Sequence, residues 1–323
     1  MGAGSALVDV VISLKDDQLL QELELPKGSM ILVDVDRSAK IKEAAIELKP
    51  VIQTGGSAAN TVRAIAQVDG RSGYLGKISD DEYGRFFKDC FEKSGITNHL
   101  FYSDTPTGNA SCLISPDAER TFGTFLGAAS ELDHNELTDD IFKPYDIIHV
   151  EGYLVFNEEL IEGILKKARK NGLLVSIDMA SYNVVEAKLD FLKWIVKEYV
   201  DIVFANEEEA KSFTGLEPEQ ALKEIAGMCE IAVVKIGKDG SLIQSGEEFV
   251  KVNTPQVKSI DTTGAGDVHA AGFLYGFANN YSLQNCGKLG SLMASKVIQV
   301  YGAQIPEEDI PEIKSVIEKI DSL

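Results

Sequence analysis

The sequence predicts an α/β protein with a central, mostly parallel sheet and a small β-rich flap, and three observations carry that prediction. From about residue 145 onward, apolar β-rich runs alternate with helical patterns, the signature of βαβ units on a sheet covered on both faces. Two glycine turns, around residues 54–60 and 261–267, each run directly into a helical pattern. The composition, 44% hydrophobic and 25% charged over 323 residues, suits a chain long enough to bury a deep core.

In chain order, residues 3–14 read as one strand, 17–23 as a short helix and 30–35 as a further strand after the turn-forming Pro26-Lys27-Gly28. Residues 57–67 are helical. Runs 111–115 and 121–126 flank Pro116-Asp117 as a hairpin, and short strands lying among α/β elements predict the flap, a candidate lid. The alternating half then follows: strand 146–150, helix 158–170, strand 173–178, helix 189–197, strand 202–205, helix 218–228 and strand 231–236. Residues 264–279, 283–301 and 307–320 close the chain as helices. No polar linker, low-complexity tract or internal repeat divides the sequence. The expectation is one domain over 1–323, with a lid built from discontinuous segments at about 9–52 and 98–127.

Charge narrows the functional classes. Lys and Arg number 31 against 51 Asp and Glu, a net charge of −20, which disfavours nucleic acid and anionic membranes as partners. The first 13 residues carry no basic stretch and their apolar run is cut by Asp9, so neither a signal peptide nor a membrane span is expected and the chain reads as cytoplasmic. Cys90, Cys112, Cys229 and Cys286 form no close pair, which argues against a disulfide framework or structural zinc. His99, His134, His149 and His269 show no metal-ligand spacing.

The most informative stretch is Asp261-Thr262-Thr263-Gly264-Ala265-Gly266-Asp267. A glycine-rich turn opening a helix presents unpaired N–H groups and the positive end of the helix dipole, a ready anion site. Asp267 in the first turn suits the dipole alone; beside an anion cradle it also suits taking a proton from a hydroxyl that attacks phosphorus. The second turn, Thr54-Gly55-Gly56-Ser57-Ala58-Ala59-Asn60, permits a tight strand-to-helix connection, with Ser57 as a cap. Asp9 interrupts an apolar strand, which is costly unless partners such as ligand hydroxyls answer it. Glu151 ends a strand where α/β proteins bind ligands, with Tyr153 and Leu154 just beyond; Asn206 and Glu209 follow another strand, in a charge run that also suits a solvated helix start. No GxxxxGK[ST] sequence occurs, so nucleotide chemistry of the P-loop kind is excluded.

Asp261–Asp267 resembles the D-T-x-G-A-G-D signature of the ribokinase/PfkB family of sugar and nucleoside kinases. Gly55–Asn60 and the run 73–84 resemble its first signature. The resemblance spans residues 4 to about 306 and implies a ribokinase-like three-layer sandwich plus lid. It implies phosphoryl transfer from Mg·ATP to a primary hydroxyl, with Asp267 as base and Gly264, Ala265 and Gly266 as anion hole. It further implies that Asp9, the Gly55 and Gly56 amides, Asn60 and Glu151 bind substrate hydroxyls, and that Tyr153 lines a base pocket. Asn206 and Glu209 match an N-x-x-E motif whose carboxylate organises Mg²⁺ through water; Lys235 and the turn Gly237 to Gly240 belong to the ATP phosphate site. Arg120 resembles an arginine that closes on the transferring phosphoryl group in the adenosine-kinase branch, or is a plain hairpin residue. Asp261 and Thr263 resemble a site for a monovalent cation such as K⁺. Ser5 departs from the family's G-N-x-x-x-D pattern, where Asn is common. Residues 23–33 resemble the lid insertion of adenosine kinases, which places a nucleoside, adenosine first, ahead of a free sugar; a non-catalytic sugar- or nucleotide-binding regulator is a further alternative. A homodimer is compatible with the resemblance.

Overall fold

A computed structural model of the chain describes residues 1–117 and 119–320; Ala118, inside the expected lid segment, and residues 321–323 lie outside the described residues. The large sheet has nine strands, in the spatial order Glu248–Val252, Ser241–Ser245, Ile231–Lys235, Ile202–Asn206, Leu174–Asp178, Ile147–Glu151, Gly2–Ala3, Gly73–Ile78 and Thr97–Tyr102. All pairings are parallel except the two made by Ser241–Ser245. A smaller five-stranded sheet runs in the order Met30–Leu32, Arg120–Gly127, Thr107–Ile114, Leu7–Ser13 and Val51–Gly55.

The parallel strands read as continuous apolar runs because both faces are buried. In Ile202–Asn206, Val203 and Ala205 pack with helices Glu158–Lys170 and Pro218–Ala226 on one face, whereas Ile202 and Phe204 pack with helix Ala265–Ala278 on the other. The same alternation repeats in Ile231–Lys235, where Ala232 and Val234 face one way and Ile231 and Val233 the other. Helix Ala265–Ala278 is apolar nearly all round, as it must be between the sheet and helices Ser57–Gln67 and Leu283–Val297. Among the described residues, no helix is long and apolar enough to cross a membrane.

Four local expectations are corrected. Residues 3–14 divide between the sheets, Gly2–Ala3 joining the large one and Leu7–Ser13 the small one. The break falls at Gly4, where a Cβ would lie 2.2 Å from Glu151 Oε2, so the chain crosses between sheets where only glycine fits. The strand at 30–35 stops at Leu32, because Asp34 accepts from the Arg37 N–H and caps an unforeseen helix, Val35–Ala44. The helix over 283–301 ends at Val297. Finally, Thr97–Tyr102 pairs with Gly73–Ile78 at the edge of the large sheet, so the small sheet's share of segment 98–127 starts at Thr107.

Helices Ala265–Ala278 and Leu283–Val297 meet through two glycines: a Cβ on Gly272 would sit 2.7 Å from Gly290 Cα. Since backbone cannot yield as a side chain does, Gly272→Val should destabilise the fold by about 2 kcal/mol through overpacking. An unchanged melting temperature would show that the two helices part freely.

Candidate active site

Four successive parallel strands end in polar residues: Glu151, Asp178, Asn206 and Lys235. Glu151 lies in register with Asp178, and Asn206 with Lys235. They form a row along the carboxyl edge of the sheet, where open α/β folds bind ligands.

Helix Ala265–Ala278 opens beside this row. Its N-cap, Gly264, is left-handed at φ 71°, and a Cβ there would meet Ala303 Cβ at 2.4 Å. No side chain caps this helix end; the Ala265 N–H donates to the Thr262 carbonyl at 3.2 Å, and the Gly266 and Asp267 amides that follow are left to an anion. The Lys235 ammonium lies 3.0 Å from where a Gly266 Cβ would be, so the glycine lets a cation approach the same turn.

Asp267 sits in that first turn. Ser57 Oγ donates to its Oδ1 at 2.6 Å, and Asn60 Nδ2 donates to Oδ2 at 2.9 Å. Thr61 Oγ1 donates to its carbonyl at 3.1 Å. Burial lifts the Asp267 carboxyl to about 6, the Ser57 hydrogen bond opposes the rise and the nearby Asp178 charge adds to it. It is thus mainly ionised near neutral pH, with a lone pair on each oxygen beyond those bonds. Asn60, expected on substrate hydroxyls, instead holds Asp267.

Asp9 lies on Leu7–Ser13, in register with Gln53. A Cβ on Gly55 would fall 2.1 Å from Asp9 Oδ1, so Gly55 makes room for this carboxyl. Gly56 is left-handed at φ 96°, and its Cβ would meet Ser5 O at 2.4 Å. Both glycines therefore have packing reasons. Burial pushes the Asp9 carboxyl up to about 7, against the pull of Arg63 and with the push of Asp267. Among the described residues, no hydrogen-bond donor engages its oxygens.

Glu151 departs from expectation. It is buried, its Oε1 accepts from the Ser5 N–H at 2.7 Å, and its Oε2 accepts from the Ala58 N–H at 3.3 Å. Burial raises its carboxyl to about 7. Each oxygen accepts from one backbone amide, so Glu151 braces the chain crossing and the start of helix Ser57–Gln67. Tyr153 is half-buried, within electrostatic reach of Glu151, Asp178 and Asp267, while Leu154 is in the core.

Asn206 and Glu209 close a reciprocal capping box. The Asn206 N–H and Nδ2 each donate to the Glu209 carboxylate at 2.7 Å, and the Glu209 N–H donates to Asn206 Oδ1 at 2.8 Å. Asn206 is thus engaged with Glu209 through both its main-chain and its side-chain N–H. Burial, with the Asp178 charge next, raises Glu209 to about 7. Asp178, which the sequence reading did not single out, accepts from Lys235 Nζ at 2.7 Å. Burial works against the Lys235 charge, but Asp178, Glu209 and Asp267 outweigh it and hold the ammonium above its usual range.

Three carboxylates thus share one lysine in this part of the site. That excess of negative charge, with Glu209 as a buried acid at its edge, fits a hydrated divalent cation. No cage of three or more acidic, His or Cys ligands occurs among the described residues, so such an ion would be carried chiefly by ligand phosphates. The turn Gly237–Asp239 lies nearby; Gly237 and Gly240 have φ 55° and 97°.

The donor set at Asp261 does not fit a monovalent cation. Oδ1 accepts from the Thr263 N–H at 2.7 Å, Oδ2 accepts from the Gly302 N–H at 2.7 Å, and the Arg120 guanidinium also pairs with Oδ2. The arginine already supplies the positive charge that such an ion would bring. Arg120 is accordingly neither a plain hairpin residue nor free over the glycine turn.

Sequence profiles and structures of known proteins match the chain along most of its length. The profile of the pfkB family carbohydrate kinases matches residues 28–310. A protein described as an uncharacterized sugar kinase, from Archaeoglobus fulgidus, is 29% identical over 237 residues, 72% of this chain and 92% of its own length. The crystal structure of adenosine kinase from Sinorhizobium meliloti superposes with a TM-score of 0.87 at 30% identity, covering 98% of both chains. A probable sugar kinase from Rhizobium etli CFN 42 superposes at 0.88, also at 30% identity, covering 100% of this chain and 98% of its own.

The unanswered Asp9 carboxyl yields a pH prediction. Its folded value, about 7, lies above its unfolded value of 3.8, so its stabilising contribution is complete below about pH 4 and lost as pH rises through 7. Asp9→Asn should therefore raise the melting temperature at pH 8 and much less at pH 5. An equal shift at both pH values would show that the carboxyl is not held in this strained state.

Proposed function

Because the chain belongs to the pfkB family of carbohydrate kinases, and so is a phosphotransferase acting on alcohol groups with ATP and a divalent metal, we propose that it phosphorylates a primary hydroxyl of a nucleoside, adenosine first. The observation that carries the reading is Asp267, oriented by Ser57 and Asn60 at an uncapped helix start beside Lys235. The acceptor hydroxyl attacks the γ-phosphorus, an O–P bond forms as the bridging bond to ADP breaks, and the hydroxyl proton passes to Asp267. The Gly264–Gly266 amides and Lys235 receive the charge on the phosphoryl oxygens.

Mg²⁺ is the proposed metal: Glu209 would hold it through water, and it would supply neutralisation of the phosphate charge. Asp9, with free carboxyl oxygens, accepts from hydroxyls of the acceptor, while Tyr153 borders its base. The turn from Gly237 to Gly240 borders the phosphates of ATP. The small sheet acts as the lid, and the protein works in the cytosol.

A sugar acceptor is the second reading, supported by the equal 30% identity to the probable sugar kinase. Release of ADP measured against a panel of nucleosides and sugars separates the two. Adenosine should exceed ribose in kcat/KM by roughly a hundredfold, since burying a base contributes on the order of a few kcal/mol. Tyr153→Ala should erode that ratio, and efficient turnover of ribose or fructose with inert adenosine would sink the nucleoside assignment.

Asp267→Asn should keep the fold and ATP binding while kcat falls at least about a hundredfold, the usual scale for a general base. Near-normal turnover would remove Asp267 from this role and reopen a purely binding function.

A further inference from the structure

Arg63, one helical turn beyond Asn60, is only 3% exposed. A guanidinium this deep is costly unless a carboxylate or a full set of hydrogen bonds answers it. Among the described residues no carboxylate pairs with it, and its bonds go to neutral oxygens. Nη1 donates to the Thr54 carbonyl at 3.0 Å and also to the Thr54 hydroxyl. Nη2 donates to Asn60 Oδ1 at 3.1 Å and to the Ala303 carbonyl at 3.0 Å, while Nε has no partner. Asp9 and Asp267 answer its charge only from a distance.

The three groups that Arg63 holds each touch the site. Thr54 precedes Gly55, the residue that makes room for Asp9. Ala303 packs against Gly264, the first residue of the anion turn. Asn60 has two ends: with Oδ1 fixed by Arg63, Nδ2 is the end presented to Asp267. A cheaper apolar residue would fill the space, but it would leave Asn60 free to turn its oxygen toward the carboxylate.

We propose that Arg63 is a positioning residue for phosphoryl transfer: it fixes the Asn60 amide so that Asp267 is held to receive the hydroxyl proton, and it braces Ala303 beneath the Gly264 turn. The proposal rests on Asp267 being the base. Asp267 is faced by Ser57 and Asn60 from the packed helix, and by Asp9, Glu151, Tyr153, Asp178, Glu209 and Lys235 from strand ends and the next helix. Arg63 and Lys235 are the cations of that set, so loss of Arg63 leaves Lys235 alone against several carboxylates.

The test compares Arg63→Gln and Arg63→Lys with wild type, after circular dichroism and melting establish folding. Arg63→Gln should lower kcat roughly ten- to a hundredfold by misplacing the base, with little change in KM for ATP. Its acid limb of kcat/KM should move to higher pH by about one unit, because losing a nearby positive charge raises a carboxylate's pKa. Arg63→Lys should restore the limb but only part of kcat, since one ammonium cannot span Thr54, Asn60 and Ala303.

Wild-type kcat and limb in Arg63→Gln would overturn the proposal. If Arg63→Gln does not fold, wild-type kcat in Arg63→Lys overturns it, and failure of both to fold reduces Arg63 to a core residue and overturns it equally. Asp267→Asn separates the premises. If that enzyme keeps its turnover, the base assignment and this proposal fail together; if it is inactive while Arg63→Gln is normal, only the role of Arg63 fails.

Discussion

Ser57 and Asn60 reach across more than two hundred residues of sequence to hold one carboxylate, Asp267, and this contact joins the two glycine turns into one site. It requires two helices to start side by side, Ser57–Gln67 from the small sheet's last strand and Ala265–Ala278 beneath the large sheet. Each start is permitted by a left-handed glycine, Gly56 or Gly264, lodged against backbone or a neighbouring Cβ. Buried Glu151 secures the first of these starts by accepting from the Ser5 and Ala58 amides. A buried carboxylate at one strand end therefore helps fix the geometry around another, Asp267.

Electrostatics imposes a second constraint. A chain of net charge −20 repels phosphates at long range, so anion binding has to be built locally. Three cations lie around the site, each against a different group: Lys235 with Asp178 over the glycine turn, Arg120 with Asp261, and Arg63 behind Asn60. Even so, Asp9, Glu151, Glu209 and Asp267 all have carboxyls raised by burial. Burying this many carboxyls in one place is costly, and a ligand that brings a divalent metal offsets that cost where a bare anion would add to it.

How much of this was legible in the sequence varies with the kind of signal. The alternating half was readable because strands such as Ile202–Asn206 bury both faces and end abruptly in a polar residue. That same ending marks Asp178, which could have been found by treating Glu151, Asn206 and Lys235 as members of a row. The first fourteen residues read as one strand because Gly4 and Ser5 are small enough to sit within a strand, and it is the pairing of Gly2–Ala3 and Leu7–Ser13 with different sheets, with Glu151 pressed against Gly4, that reveals the break. Helix Val35–Ala44, only partly buried, carries a weak apolar stripe and gives little periodic signal. Arg63 was invisible for a different reason: arginine on a helix is ordinarily a solvent-facing residue, and nothing in composition or spacing marks one that points inward.

The small sheet is more than a cover, because it owns parts of the site. Asp9 comes from one of its central strands and Gly55 from an edge strand, while Arg120 begins the strand that follows its hairpin. Through Arg120 this sheet is joined to Asp261, whose other partners, Thr263 and Gly302, flank Gly264 and its neighbour Ala303. The small sheet and the glycine turn at Gly264 are therefore connected by two routes, one through Arg120 and Asp261 and one through Thr54, Arg63, Asn60 and Asp267. Under the proposed phosphoryl transfer, a change in either route would shift the distance between hydroxyl and phosphoryl group, and misplacement of reacting groups costs rate far more steeply than it costs binding.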